Sequence, residues 1–163
     1  MLLAVMGDSH DHREALRAAV NLSVEKGAKA LFHTGDLISP FMLDSLSPFQ
    51  GRIYLALGNC DGDALAVSRT IPQRCPQVRE YGDFITVEFE DFRVAMTHFP
   101  EHARAHAMAG GFDFVFYGHT HQYSEKIIGD TLLLNPGDLM GLEDNRSFCL
   151  VETGTREVRR LFL

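Results

Sequence analysis

Seven residues carry a pattern with chemical meaning: Asp8, His10, Asp36, Asn59, His98, His119 and His121. All seven offer nitrogen or oxygen, and none offers sulfur. Imidazole suits Zn, Fe, Ni, Co or Cu, whereas carboxylate and amide oxygens suit harder ions such as Mn or Mg. Seven donors are too many for one tetrahedral ion and about right for two ions that share one carboxylate. Left unpaired, so many ionisable groups in one pocket would be costly; a pair of cations would compensate the carboxylates and coordinate the imidazoles. Taken singly, Asp8, Asp36 and Asn59 read as caps or turn residues and the histidines as loop residues. Their joint placement is what distinguishes them.

Each of these residues follows a short apolar run. Leu2–Met6 is a continuous apolar stretch of the kind buried on both faces of a sheet, and Gly7-Asp8-Ser9-His10 follows it. Ala30–Phe32 is a second strand, before Thr34-Gly35-Asp36, and Ile53–Leu57 a third, before Gly58-Asn59-Cys60-Asp61. Between the first two, His12–Lys26 has apolar residues at helical spacing and stops at Gly27; a helix can begin at Pro40. This β-α-β-α-β order predicts parallel strands. The second half is richer in strands. Phe84–Phe89 and Arg93–Thr97 read as a hairpin, with His98 directly after it, and a helix is expected over Arg104–Met108. Asp113–Tyr117, which leads into Gly118-His119-Thr120-His121, is a further strand, as are Ser124–Ile128, Thr131–Leu134, Ser147–Glu152 and Glu157–Phe162. The glycines before Asp8, Asp36, Asn59 and His119 allow tight turns beside a charged site. In open α/β sheets ligands bind outside the carboxyl ends of strands, so five strand ends can converge on one place.

The expected fold is α/β (α+β): two packed mixed β-sheets forming a sandwich flanked by helices, in a single domain over residues 1–163. The chain is 45% hydrophobic and 23% charged, which excludes disordered, collagen-like and coiled-coil classes. A formal net charge of −7 argues against sequence-blind binding of nucleic acid. Three cysteines without a C-x-x-C pair oppose a disulfide framework and fit a reducing, cytoplasmic setting. No signal peptide is expected from Met1–Met6, and no apolar run is long enough to span a membrane.

The order of these motifs resembles the calcineurin-like metallophosphoesterase superfamily, whose pattern is D-x-H, G-D, G-N-H-[DE], a lone His and G-H-x-H. It is carried by Asp8-Ser9-His10, Gly35-Asp36, Gly58-Asn59-Cys60-Asp61, His98 and Gly118-His119-Thr120-His121. Along its whole length the chain is similar to the compact bacterial and archaeal phosphodiesterases of the YfcE type; Asn135-Pro136-Gly137 matches a downstream element of the small members. The resemblance implies the metallophosphoesterase (αββα) fold and a site with two divalent ions, Mn foremost and Ni, Fe, Co or Zn also compatible. Asp8, His10 and His121 would hold one ion, Asn59, His98 and His119 the other, and Asp36 would bridge them. Asn59, Asp61 and His98 fall in the catalytic group. The implied reaction is hydrolysis of a small phosphodiester by a metal-bridged hydroxide, without a phospho-enzyme. A protein scaffold, like the retromer's phosphoesterase-like subunit, and a nuclease are the alternatives. Compact relatives often form homodimers or larger assemblies.

Two departures bear on substrate choice. Cys60, a poorer proton donor to a leaving group, stands where the larger members have His. His98-Phe99-Pro100 stands where the compact branch usually has His-Gly-His, and His102 or His106 are the nearby replacements. His33 reads as a hydrogen-bonded core residue beside the site. His102 and His106 read as a solvated helix face, Cys75 and Cys149 as packing residues, and Arg159-Arg160 as a solvated pair. Tyr117, Phe99 and Phe41 are the candidates for a pocket wall.

Overall fold

The computed structural model describes residues 1–142 and 146–163. Its elements run β1 (Leu2–Met6), α1 (Arg13–Glu25), β2 (Ala30–His33), a 3-10 turn (Pro40–Met42) continuing into α2 (Leu43–Leu46), β3 (Arg52–Ala56), α3 (Ala64–Arg74) and β4 (Val78–Gly82). There follow β5 (Phe84–Glu88), β6 (Arg93–Thr97), α4 (Pro100–Ala109), β7 (Phe114–Phe116), β8 (Ser124–Ile128), β9 (Thr131–Asn135), β10 (Ser147–Glu152) and β11 (Glu157–Phe162). One sheet has the order β11-β10-β1-β2-β3-β4 and the other β5-β6-β7-β9-β8. Both are mixed: β1 to β4 run parallel, as do β6, β7 and β9, with antiparallel strands outside them.

Strand alternation sorts the apolar side chains into layers. Leu3, Val5, Phe32, Tyr54 and Cys149 of the first sheet meet Val94, Met96, Phe114, Phe116 and Leu134 of the second. Phe32 stacks on Tyr54 and meets the ring of Phe116 edge-on at 5.3 Å. The opposite face of the first sheet, with Ala4, Met6, Leu31 and Leu55, packs against Leu16, Val20, Leu43 and Val67 of the helices. The outer face of the second, with Ala95, Val115 and Leu133, is covered by Ala103 and Ala107 of α4. The result is the expected helix–sheet–sheet–helix layering.

Local chemistry sets the helix limits. The His12 ring accepts the Ala15 amide and caps α1, and Gly27 leaves the helix at φ +83°. Helix α4 starts at Pro100, earlier than the spacing predicts, because proline suits the first helical position; it ends at Gly110. Two elements, α3 and β4, fall in a stretch without a sequence prediction. Helix α3 is capped by Asp63 and buries only Val67 fully, and Pro72 interrupts its hydrogen bonding. Strand β4 lies at a sheet edge with Arg79 and Glu80 exposed, so neither segment shows an apolar period.

Parallel register aligns the strand ends. Met6 pairs with His33 and His33 with Leu55 in one sheet, while Met96 pairs with Phe116 and Phe116 with Leu134 in the other. The loops after β1, β2, β3, β6 and β7 therefore emerge side by side.

Candidate metal centre

All seven predicted donors come together at that end of the sandwich. Short backbone bonds fix the loops: Asp8 N–H donates to Gly35 O, and His10 N–H to Asp36 O, both at 3.0 Å. Gly118 N–H donates to His98 O, also at 3.0 Å, joining the two loops of the second sheet. Asp8, His10, Asp36, His119 and His121 all have positive φ, between 40° and 69°. Non-glycine residues seldom adopt this conformation, and its clustering is typical of sites where geometry outranks backbone comfort. Gly35 at φ +112° leaves room for the His98 ring: a Cβ there would lie 2.5 Å from Nδ1. A Cβ on Gly58 would lie 2.0 Å from Asp36 Oδ1.

The donors form a stepped basin. Asp8, Asp36 and His98 are buried at the floor, His10 and His121 are half-buried, and Asn59, Cys60 and His119 stand exposed at the rim. Asp36 Oδ2 lies 3.3 Å from His10 Nε2 on one side and 3.6 Å from His98 Nε2 on the other. Asp8 Oδ1 lies 3.7 Å from His121 Nε2, and the His10 and His121 rings stack. Asn59 Oδ1 lies 2.9 Å from His98 Nε2 and 2.8 Å from His119 Nδ1. Ligand atoms of Asp8, His10 and His121 lie within mutual coordination reach, as do those of Asp8, Asp36 and His98, and of His10, Asp36 and Cys60.

The basin fits divalent cations. Burial and the nearby Asp36 carboxylate push the Asp8 carboxyl up to about 8, the mark of a negative group without a counter-charge. His10 Nε2 is shielded from solvent and makes no hydrogen bond. At His98, Nδ1 faces the Thr34 carbonyl at 2.9 Å, and a carbonyl only accepts. The ring proton therefore sits on Nδ1 and leaves Nε2 bare, facing the Asn59 amide oxygen. Burial holds His98 below its ordinary pKa, so a second ring proton is disfavoured. A bare nitrogen facing an oxygen acceptor is the environment that a cation completes.

Neighbouring residues take supporting positions. Asp61 accepts the amides of Gly58 and Ile38 at 2.8 and 2.6 Å, tying the Asn59 loop to the segment after Asp36. Asp11 accepts both the amide and the hydroxyl of Ser39. His33 is fully buried against Ser9 Oγ at 3.1 Å and, pushed down to about 3 by burial, is neutral. Phe99 packs its ring against His98 and His119. Phe41 is exposed under the Arg13 guanidinium. Tyr117, by contrast, belongs to the layer beneath α4 and faces away from the basin, because residues 115 and 117 share the outer face of the second sheet. His106 stacks on Phe84, and His102 meets the edge of Phe99. Sequence reasoning missed Asp138, a buried carboxylate whose Oδ2 lies 2.8 Å from His121 Nδ1. Its only signal was its place directly after Asn135-Pro136-Gly137.

Comparison with known proteins bears on the family and the fold. Residues 1–156 match the calcineurin-like phosphoesterase superfamily domain. The chain is 29% identical to Phosphodiesterase MJ0936 of Methanocaldococcus jannaschii, over all of this chain and 99% of that protein. A solved archaeal phosphodiesterase superposes with a TM-score of 0.91 at 28% identity, over the full length of both chains. Vps29 of Chaetomium thermophilum shares the fold, with a TM-score of 0.70 at 16% identity over all of this chain and 95% of that one.

Proposed function

This chain belongs to the calcineurin-like phosphoesterase superfamily, as a metal-dependent phosphoesterase, and from that premise we propose that it hydrolyses a small phosphodiester at a two-ion site. The observation that carries this reading is the position of Asp36. Its carboxylate stands between His10 and His98 with Oδ2 near both imidazoles, where one residue can serve two ions. Asp8, His10 and His121 would hold one ion, and Asn59, His98 and His119 the other. When bound, a pair of divalent ions supplies charge for the phosphoryl oxygens and acidifies the attacking water.

The chain's own groups do the rest. Asp61 fixes the loop that presents Asn59, through the Gly58 and Ile38 amides. The Cys60 thiol, raised above its ordinary value by desolvation and the Asp36 carboxylate, keeps its proton at neutral pH at the exposed rim of the basin. Phe99 packs its ring beside His119 at the rim. The exposed rim at Asn59, Cys60 and His119 suits a small soluble substrate reaching the floor from solvent. Residues 1–163 would act as one domain, since β10 and β11 return the C-terminal end to β1.

The test is to strip the protein and reload it with Mn²⁺, Ni²⁺, Co²⁺ or Zn²⁺. Hydrolysis of bis-p-nitrophenyl phosphate is then compared with that of the monoester, in the wild type and in Asp36→Ala. Two ions per chain and diester turnover that Asp36→Ala abolishes are the expected result. A fully loaded protein that leaves both esters intact would sink the catalytic reading in favour of a scaffold.

A further inference from the structure

We infer that Asp138 is a positioning residue that fixes the orientation and tautomer of His121, so that His121 presents a bare Nε2 to the first donor group. The inference rests on the metal-centre reading above and adds to it a residue outside the seven donors. An ionised carboxylate offers only acceptor sites. With Asp138 Oδ2 2.8 Å from His121 Nδ1, the neutral ring must carry its proton on Nδ1. The lone pair then lies on Nε2, which faces Asp8 Oδ1 at 3.7 Å beside the stacked His10 ring.

Asp138 is itself held in place. Its Oδ1 accepts the Gly141 amide at 2.8 Å, and its carbonyl accepts the Ser147 amide. The two residues after it bind the backbone that carries Asp8: Leu139 N–H donates to Gly7 O, and Met140 N–H to Asp8 O. Just before it, Asn135 donates through Nδ2 to Gly118 O and Thr120 Oγ1, bracing the loop on which His121 lies. The segment from Asn135 to Met140 thus sets Asp8 and His121, which belong to different sheets, in one frame. Carboxylates that orient a metal-binding imidazole in this way affect metal affinity or activity about 10–100-fold when removed.

Two measurements test the role. Long-range ¹H–¹⁵N NMR of the metal-free wild type above pH 8 reads the His121 tautomer directly; a proton on Nδ1 is expected, and a proton on Nε2 would overturn the inference. Calorimetric titration with Co²⁺ compares the wild type with Asp138→Ala and with Asp138→Asn, which keeps an acceptor for the Gly141 amide and so preserves the fold. Both variants should bind the ion about 10–100-fold more weakly, and wild-type affinity in both would refute the role. If the wild type binds no divalent ion, the metal-centre reading fails, and the tautomer measurement still decides the part played by Asp138.

Discussion

The backbone amide of Cys60 donates to Oδ1 of Asp36 at 2.8 Å, which leaves Oδ2 turned toward His10 and His98. One loop therefore orients the Asp36 carboxylate, and the side chain at position 60 is not what does it. Cys60→Ser should preserve metal stoichiometry, because the amide remains. Asp36→Ala should lose at least one ion per chain, with hydrolysis falling further than the roughly 10–100-fold expected for an outer partner. Metal analysis beside the diester assay separates the two variants.

The raised Asp8 carboxyl makes metal-free stability depend on pH. Asp8 has an ordinary value of 3.8 and is pushed to about 8 in the folded protein. Between those values the native state holds a proton that the unfolded chain has released, so Asp8 by itself makes stability fall as pH rises from about 4 to 8, while buried His33, held down to about 3, makes it rise up to its ordinary 6.5. Melting temperatures of metal-free protein should therefore decline chiefly between about pH 6.5 and 8, where His33 no longer opposes Asp8. Asp8→Asn should flatten the decline, as should saturation with Mn²⁺. A metal-free profile that rises between about pH 6.5 and 8 would contradict the assignment.

Gly35 has no tolerated replacement. At φ +112°, with a Cβ 2.5 Å from the His98 ring, alanine would bring both backbone strain and a clash. Gly35→Ala should lower the unfolding free energy by at least about 2 kcal/mol, measured by urea denaturation, and should weaken metal binding through the displaced imidazole. Gly129, also at positive φ but with open space around it, should lose only the conformational part on the same substitution.

The three free thiols should react very differently. Cys75 and Cys149 are buried, and desolvation pushes them to about 11 and about 12. Cys60 is exposed, although desolvation and Asp36 raise it too. Titration with a disulfide reagent should count one thiol in native protein and three after denaturation. The native reaction should accelerate as pH rises, since the thiolate is the reactive form.

Much of this was legible in the sequence because continuous apolar runs such as Leu2–Met6 end abruptly in polar, glycine-led turns. That contrast locates both the buried strands and the donors that follow them. Helix α3 and strand β4 escaped notice because each is solvated on most of its surface: Val67 is the single fully buried residue of α3, and β4 alternates weakly at an edge. Asp138 escaped for a different reason. Its contact with His121 spans 17 residues and exists only because β9 returns beside β7, so no local period could reveal it. Tyr117 was misplaced for want of strand phase, since adjacent residues of β7 and its continuation face opposite sides of the sheet.

The two proposed donor groups share a further property. Asp8 and His10 follow a strand of the first sheet and His121 follows one of the second; Asn59 follows the first sheet, and His98 and His119 the second. Neither group is complete within one sheet. On the proposed assignment, an ion held by either group would clasp the two layers together, closing only after the sandwich has assembled in register. Ion capture would then be a late step of folding, and the occupied site a fastener of the architecture that built it.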